Sequence, residues 1–283
     1  MKRFVTIAVT IFGTGLFVYW IRALGLSQIR DSLVRIGWGF GAILAFSGVR
    51  EALRALAWTQ AVEGAARLPF RDAFAARLAG EAINTLVPMG VLIGEPVKAK
   101  QVGHRLSFPV AFRALMIEFA FYAASLPLLF GAATMTLVPA TAMLALPVSG
   151  MVFTRKAQAL AAPVLEFVSL HKRHTSMIAA CQVGYHLLAI AEVYVVLALI
   201  APGRASVVSA LVFETVNRGV TIVFKMLPMR IGVDEAGAAL AAGRFDLSSS
   251  TGVTVALVRK LRTLVWAAVG LLILVARSTG ARK

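Results

Sequence analysis

The sequence predicts an all-α polytopic membrane protein, because apolar stretches of about 20 residues, long enough to cross a bilayer as a helix, recur along the whole chain. Hydrophobic residues make up 59% of the 283 positions and charged residues only 15%, and the mean hydropathy is +0.82. Soluble domains do not have this balance. The longest hydrophilic stretch, residues 154–175, is too short for a separate domain. We therefore expect one membrane domain over residues 1–283.

Six segments are long and apolar enough to be predicted as spanning helices. They cover residues 4–24, 36–60, 108–130, 133–153, 177–200 and 251–276. The first follows Met1-Lys2-Arg3, as the apolar part of a signal peptide would. It is long and lacks a small-x-small cleavage site, so we expect a retained helix.

Two further apolar regions, residues 71–103 and 205–243, are interrupted by Pro, Gly and acidic residues. Each pattern indicates a helix, a short break and a second short helix, which is typical of a re-entrant or broken-helix hairpin. The backbone groups freed at such a break are tolerated in a membrane only where protein or water covers them. The breaks are therefore the first place to expect a binding site. An eight-crossing alternative, in which both hairpins span, stays open.

The two interrupted regions match each other in spacing, which indicates an internal duplication. In both, a Glu-x2-Asn motif leads to a proline, a glutamate follows seven positions later, and a glycine follows eight positions after that. The matching residues are Glu81, Asn84, Pro88, Glu95 and Gly103 in the first copy and Glu214, Asn217, Pro228, Glu235 and Gly243 in the second. Because one copy holds three crossings and one hairpin, the second must enter the membrane upside down. We predict an inverted repeat over residues of about 4–131 and 133–277.

The distribution of basic residues predicts the orientation. If both hairpins re-enter, the side with both termini and residues 154–175 carries nearly twice as many Lys and Arg residues as the other. The positive-inside rule then places both termini in the cytoplasm. The first hairpin would enter from the cytoplasm and the second from outside.

The break segments suggest an anion site. The short second helices are predicted to begin near Glu95 in the first hairpin and near Asp234 and Glu235 in the second. A half-helix N-terminus offers unpaired N–H groups and positive potential to an anion. Nearby glycine and basic residues are Gly94, Lys98, Lys100, Arg230 and Gly232. Two opposed N-termini would suit a phosphate-bearing headgroup, although the three acids could equally be helix caps.

Other charged residues in apolar segments are costly and need partners. Glu214 and Arg218 are four positions apart and share a helix face, and Glu51 and Arg54 are spaced similarly, so each pair could be a structural ion pair. Glu118 and the cluster at 259–262 follow their hairpins at similar distances, which suggests a pseudo-symmetric interhelical ion pair.

Several functional classes are excluded or disfavoured. The chain has no G-x-x-x-x-G-K-[ST] loop, no G-x-S-x-G elbow and no H-E-x-x-H motif. Cys181 is the only cysteine, and His171 and His174 stand without further ligands, so we expect no metal site and no cofactor. His186 fits a hydrogen-bonded bundle histidine better than a proton relay with Glu192. The net charge is +16, but the sequence has no basic surface domain of the kind that binds nucleic acid. We therefore expect no nucleic-acid partner.

Two segments resemble the signature regions of the flippase-like family, the transmembrane part of lysylphosphatidylglycerol synthases and their stand-alone relatives. They are Gly80-Glu81-Ala82-Ile83-Asn84 through Gly94-Glu95-Pro96-Val97-Lys98, and Leu227-Pro228-Met229-Arg230-Ile231-Gly232-Val233-Asp234-Glu235. Arg113 with Glu118, and Arg54-x3-Trp58, are also similar to the family pattern. The chain departs from it at Pro228-Met229-Arg230, where the family usually has a Pro-Gly-Gly-like turn, and at Lys98, which often aligns with an arginine.

The resemblance implies a protein of the bacterial inner membrane that moves an anionic or aminoacylated lipid between leaflets. Some stand-alone members resemble proteins associated with hopanoid biosynthesis, so a lipid-biosynthesis enzyme is a possible partner. We expect no aminoacyl-transfer domain and no catalytic residues, although a lipid-modifying enzyme and a non-transporting partner subunit stay open as alternatives. The expected lipid-binding residues are Glu81, Asn84, Pro88, Gly94, Glu95, Lys98, Lys100, Arg113, Glu118, Glu214, Asn217, Arg218, Pro228, Arg230, Gly232, Asp234 and Glu235.

Overall fold

The computed structural model describes residues 26–64, 66–87, 89–136, 155–224, 227 and 229–280. The elements within these ranges are all helices, as predicted. They are α1 (Leu26–Ile36), α2 (Gly39–Gln60), α3 (Phe70–Leu86), α4 (Gly90–Gln101), α5 (Phe108–Thr136), α6 (Arg155–Leu170), α7 (Lys172–Ile200), α8 (Val207–Val223), α9 (Val233–Gly243) and α10 (Ser249–Gly280). The predicted span 4–24 and most of 133–153 lie outside the described residues.

Two helices in the described part of the chain are long and apolar enough to cross a membrane, Phe108–Thr134 and Lys172–Ile200. A third candidate is the bent pair Arg30–Ile36 and Gly39–Gln60, whose axes turn by 94°. These fall on three of the six predicted spans. The predicted span 251–276 lies within α10, whose apolar character is interrupted by Arg259, Lys260 and Arg262. The count of six crossings therefore stays a prediction.

Helices α2 and α7 pack antiparallel at the centre of the bundle. At one end, Gln60 and His174 are joined by a hydrogen bond of 3.0 Å. At the other end, Gly39 lies so close to Leu199 that a Cβ on the glycine would meet the leucine side chain at 2.3 Å. The antiparallel pair thereby defines two opposite ends of the bundle.

The first predicted hairpin is α3 and α4, which meet at a break over residues 87–89. Met89 adopts a left-handed backbone conformation with φ of 54°. This conformation turns the chain away from the axis of α3, and α4 begins at the next residue, Gly90. At the open end of this hairpin, which we call its mouth, Asp72 and Arg105 form an ion pair of 3.1 Å. The hairpin therefore begins and ends at the same end of the bundle.

The second predicted hairpin is α8 and α9, which are joined through residues 224–232. Met229, the counterpart of Met89 in the predicted duplication, has the same left-handed conformation with φ of 53°. Arg204 Nη1 donates to the Asp246 carbonyl, so the two ends of this hairpin also meet. Arg204 follows the end of α7, whereas Arg113, which is close to the first mouth, pairs with Glu63 just after the end of α2. The two mouths therefore lie at opposite ends of the bundle.

The tips of the two hairpins meet inside the bundle. Met229 at the second tip is buried in one apolar cluster with Ala82 and Leu86 of α3 and with Leu257 and Leu264 of α10. Opposite mouths and a common meeting point are what an inverted repeat requires. Superposition of the two halves as an inverted repeat stays a prediction.

Helix α10 packs closely against both hairpins through glycines. A Cβ on Gly270 would lie 2.2 Å from the Leu78 carbonyl oxygen in α3, and one on Gly252 would lie 2.3 Å from the Ala238 carbonyl oxygen in α9. Such close backbone approach leaves no room for larger residues. The glycines hold the cationic middle of α10 between the two hairpins.

Candidate functional site

A polar cavity of about 220 Å³ lies where the hairpins meet, bounded by α2, α3, α7, α8, α9 and α10. Ten charged side chains line it. They are the cations Arg50, Arg218, Arg230, Arg259, Lys260 and Arg262 and the acids Glu51, Glu81, Glu214 and Asp234. The lining therefore carries more positive than negative charge.

Glu214 of α8 bridges two arginines. It accepts from Arg218 Nε, four residues along the same helix, at 2.7 Å. Its other oxygen accepts from Arg259 Nη2 of α10. The predicted ion pair between Glu214 and Arg218 is therefore present. Arg259 is a second partner of Glu214, which the local spacing of the sequence did not reveal.

Glu192 of α7 makes a second bridge of the same kind. It accepts from Arg50 Nη1 of α2 at 2.8 Å and from Arg262 Nη1 of α10. Only 1% of the Glu192 side chain is exposed. Within these two bridges, two carboxylates neutralise four guanidinium groups only in part.

An aromatic side chain holds several of these guanidinium groups together. The ring of Tyr185 on α7 lies 4.5 Å from Arg50 Cζ and 5.2 Å from Arg218 Cζ, within the range of cation–π contact. Arg54 Cζ is 5.7 Å from the same ring. The Tyr122 hydroxyl accepts from Arg218 Nη1 at 3.0 Å. Tyr185 thus contacts cations from two different helices.

The tip of the second hairpin adds charge from α9. Arg230 pairs with Asp234 at 3.0 Å, and Lys260 Nζ donates to Glu235 at 2.6 Å. Glu235 also accepts from the Gly232 backbone N–H at 2.7 Å, so it caps the N-terminus of α9. The capping alternative is therefore right for Glu235, which has a cationic partner in addition.

The first hairpin carries a compact cluster around Lys98, of which 1% is exposed. Lys98 Nζ donates to Glu81 and Glu95, both at 2.6 Å. Asn84 Nδ2 donates to Glu95 at 3.0 Å. Gly94 allows this packing, because a Cβ there would lie 1.9 Å from Asn84 Oδ1. Of this cluster, Glu81 lines the cavity.

A third group of charges lies behind the cavity rather than on its wall. Glu118 of α5 accepts from Arg54 Nε at 2.7 Å and from Gln182 Nε2 at 3.1 Å. Arg77 of α3 donates to Glu51 at 2.8 Å and to Glu81 at 3.2 Å. This group joins α2, α3, α5 and α7, and it supports Glu51 and Glu81 from behind.

The structure corrects several sequence-based placements. Helix α4 begins at Gly90 and not near Glu95, so Lys98 and Lys100 lie in its last turn, away from the N-terminus. Lys100 is exposed. Arg113 is half exposed and pairs with Glu63 at 3.1 Å, outside the cavity. Pro88 and Pro228 lie outside the described residues.

Two predicted pairings are also wrong. Arg54 pairs with Glu118, and Glu51 pairs with Arg77, so Glu51 and Arg54 are not partners. The cations of α10 pair with Glu192, Glu214 and Glu235, whereas Glu118 pairs with Arg54. The predicted ion pair between Glu118 and the cluster at 259–262 is therefore wrong. The reason is geometric, because Glu118 of α5 faces Arg54 of α2 and Gln182 of α7.

The remaining predicted residues are brought to the hairpins. Asn217, Arg218, Arg230 and Asp234 line the cavity, while Asn84, Gly94, Glu95, Lys98, Gly232 and Glu235 form the hairpins behind it. Sequence reasoning did not include Arg50, Glu51, Tyr185, Arg259, Lys260 and Arg262 in the site, although the five charged ones are ionisable residues in apolar segments. His186 forms a hydrogen bond of 2.8 Å with Ser125, as expected of a bundle histidine. In the described part of the chain, no group of three potential metal ligands comes together.

Comparison with known proteins identifies one family. No curated protein and no solved structure matches the chain. The family model described as the lysylphosphatidylglycerol synthase TM region matches residues 4–270. The chain is therefore a membrane protein related to lipid handling and belongs to the family of the lysylphosphatidylglycerol synthase transmembrane region.

Proposed function

We propose that this protein binds the phosphate-bearing headgroup of an anionic membrane lipid in the cavity between the hairpins and carries the lipid, chemically unchanged, between the leaflets. The observation that carries the proposal is the sharing of two carboxylates, Glu192 and Glu214, by four arginines. Buried charge without a counter-charge is costly, so an anionic ligand would stabilise this arrangement.

The type of cation supports a phosphate ligand. A guanidinium group can hold two phosphate oxygens through parallel hydrogen bonds, whereas an ammonium acts as a point charge. Five of the six cavity cations are arginines. Arg50 Nε is buried and has no hydrogen-bond acceptor among the described residues, so it leaves a donor free for such a ligand.

The arrangement of the hairpins supports movement of the ligand. The two mouths lie at opposite ends of the bundle, and the tips meet beside the cavity. Transporters built on inverted repeats place their sites at such junctions and expose them alternately to each side. We propose that the tip contacts of Met229 with Ala82 and Leu86 separate and re-form during this exchange.

The test is leaflet exchange in proteoliposomes with fluorescent phosphatidylglycerol, together with mass analysis of the recovered lipid. We expect exchange of unaltered phosphatidylglycerol and a much slower exchange of an uncharged galactolipid. Arg218→Gln and Arg259→Gln should each reduce the rate at least tenfold. Arg113→Gln removes the same charge outside the cavity and is the matched control, so it should retain the wild-type rate.

The outcomes separate the alternatives. Chemically altered lipid would indicate a lipid-modifying enzyme and would contradict the proposal. No exchange, with phosphatidylglycerol retained on the purified protein, would indicate a non-transporting subunit that presents lipid to a biosynthetic enzyme. Each variant is compared at equal abundance and with an unchanged elution profile, so that a folding defect is recognised.

A further inference from the structure

A second, smaller cavity of about 80 Å³ adjoins the first. The two cavities share the lining residues Ser47, Glu51, Glu81, Arg262 and Thr263, so they lie on either side of the same side chains. The second cavity is completed by Leu78, Thr85, Trp266 and Ala267. It is therefore a small polar extension with partly apolar walls.

The charged groups of this extension already have partners. Glu51 accepts from Arg77 at 2.8 Å, Glu81 accepts from Lys98 at 2.6 Å, and Arg262 pairs with Glu192. Glu51 and Glu81 each have their own cationic partner, and the positive charge that Arg262 keeps by sharing Glu192 with Arg50 belongs to the arginine group of the first cavity. A phosphate or an ammonium group is better accommodated elsewhere than in the extension.

One lining residue of the extension, Trp266, carries a neutral donor. The indole Nε1–H of Trp266 is buried and has no acceptor among the described residues. A buried donor without a partner is destabilising, so native proteins normally supply an acceptor. A neutral donor beside apolar walls suits a neutral acceptor such as a carbonyl oxygen.

We propose that the second cavity is the subsite for an acyl-ester carbonyl of the bound lipid, which accepts a hydrogen bond from Trp266 Nε1. This inference rests on the proposed function, because it places the headgroup phosphate in the first cavity. In a diacyl phospholipid the glycerol unit connects the phosphate to the ester carbonyls. A lipid whose phosphate is in the first cavity would therefore place an ester carbonyl near the adjacent second cavity. The lipid class is therefore an ester-linked glycerophospholipid.

The size of the cavity and the position of the indole fit this role. Its volume of about 80 Å³ accommodates a carbonyl group with its neighbouring atoms. A Cβ on Gly48 of α2 would lie 2.8 Å from Trp266 Cζ2, so the glycine fixes how closely the indole lies against α2. Gly48→Ala should displace the donor without removing it.

The experiment compares two lipids that differ only at the carbonyl. Native mass spectrometry of the full-length protein measures binding of diacyl phosphatidylglycerol and of its dialkyl ether analogue, which has the same headgroup and no ester oxygen. We expect wild type to bind the ester at least fivefold more tightly. Trp266→Phe keeps an aromatic side chain but removes the indole N–H, so it should abolish this preference by weakening the ester alone. Gly48→Ala should reduce the preference in the same direction.

The matched control is Trp38→Phe, because Trp38 is fully exposed at the α1–α2 bend. It should keep the ester preference. Equal binding of both lipids by wild type, or equal weakening of both by Trp266→Phe, would overturn the subsite and leave a water-filled recess, while the proposed function would stand. Binding of neither lipid above an uncharged galactolipid would overturn the proposed function and the subsite with it.

Discussion

At the scale of single residues, the site depends on arginines held close to one another despite their like charges. Glu192 and Glu214 reduce the repulsion, and the face of Tyr185 offers negative potential to Arg50 and Arg218. Each of these contacts is buried, where electrostatic effects are stronger than in water. The aromatic ring is therefore as much a part of the site as the carboxylates are.

The first prediction concerns Tyr185. Tyr185→Phe keeps the ring under Arg50 and Arg218 and should retain most phosphatidylglycerol binding. Tyr185→Leu removes the ring and should weaken binding about tenfold, which corresponds to about 1.4 kcal/mol. Lipid binding by native mass spectrometry measures both. Equal effects of the two substitutions would show that the hydroxyl, and not the ring, is what matters.

Local sequence could predict which side chains are unusual but not which ones meet. Arg50, Glu192 and Arg259 are ionisable residues in apolar segments, and such residues need partners. Their partners are 142 positions away for Arg50 and Glu192 and 45 for Arg259 and Glu214, so only helix packing selects them. Tyr185 carries no local signal, because a tyrosine in an apolar helix is ordinary.

At the scale of secondary structure elements, the two hairpins were predictable because proline, glycine and acidic residues interrupt an apolar run. The exact start of α4 was not. The glycines suggested a break up to Gly94, but the left-handed conformation at Met89 makes the turn earlier, and Gly94 serves close packing within the helix. The same residue type therefore has two roles that look alike in the sequence.

The second prediction tests that close packing. Gly94→Ala would place a Cβ 1.9 Å from Asn84 Oδ1 and 2.6 Å from the Gly80 carbonyl oxygen, so α3 and α4 must separate. We expect a loss of stability of about 1–3 kcal/mol, measured as thermal unfolding in detergent. Gly131→Ala is the control, because open space surrounds that helical glycine, and it should be neutral or stabilising by up to about 1 kcal/mol. A neutral Gly94→Ala would contradict the tight hairpin.

The third prediction concerns the cap of α9. Glu235→Gln retains an oxygen that can accept from the Gly232 N–H but loses the charge that faces Lys260, whereas Glu235→Ala loses both interactions. Loss of a helix cap costs about 1 kcal/mol, so the alanine variant should be less stable than the glutamine variant by about that amount. Thermal unfolding of the two variants side by side measures the difference. If they are equally stable, the cap contributes nothing.

At the scale of the whole molecule, the composition was sufficient to predict a helical membrane protein, and the antiparallel packing of α2 and α7 shows how its ends are arranged. The end that holds the first mouth also holds α6, because Glu166 lies 3.6 Å from Arg113 of α5. It also holds the end of α10, because Arg277 lies 3.4 Å from Asp72. The second mouth is at the other end. Sequence alone cannot show this, since spacing does not reveal which segments are neighbours.

The last prediction is the topology that follows from this arrangement. The positive-inside rule predicts cytoplasmic termini from the sequence, and it assigns the end with the first mouth and residue 165 to the same side. Leu165 is exposed on α6, and Arg244 is exposed beside the second mouth. Each can be replaced by cysteine in a Cys181→Ala background, which removes the buried native thiol. A membrane-impermeant maleimide should label Arg244→Cys in intact cells and Leu165→Cys only after permeabilisation.

Together, the two cysteine variants test whether the mouths lie on opposite sides of the membrane and which of them faces the cytoplasm. Labelling of both from the same side would contradict opposite mouths, and with them the alternating exposure of the cavity that the proposed transport requires. The reverse pattern, with Leu165→Cys labelled from outside, would keep the opposite mouths but overturn the cytoplasmic assignment. In that case the first mouth would open outward, and lipid released through it would enter the outer leaflet. Labelling in the expected pattern would instead connect the first mouth to the inner leaflet, where newly synthesised anionic lipid would reach the arginines through the cytoplasmic end of the bundle.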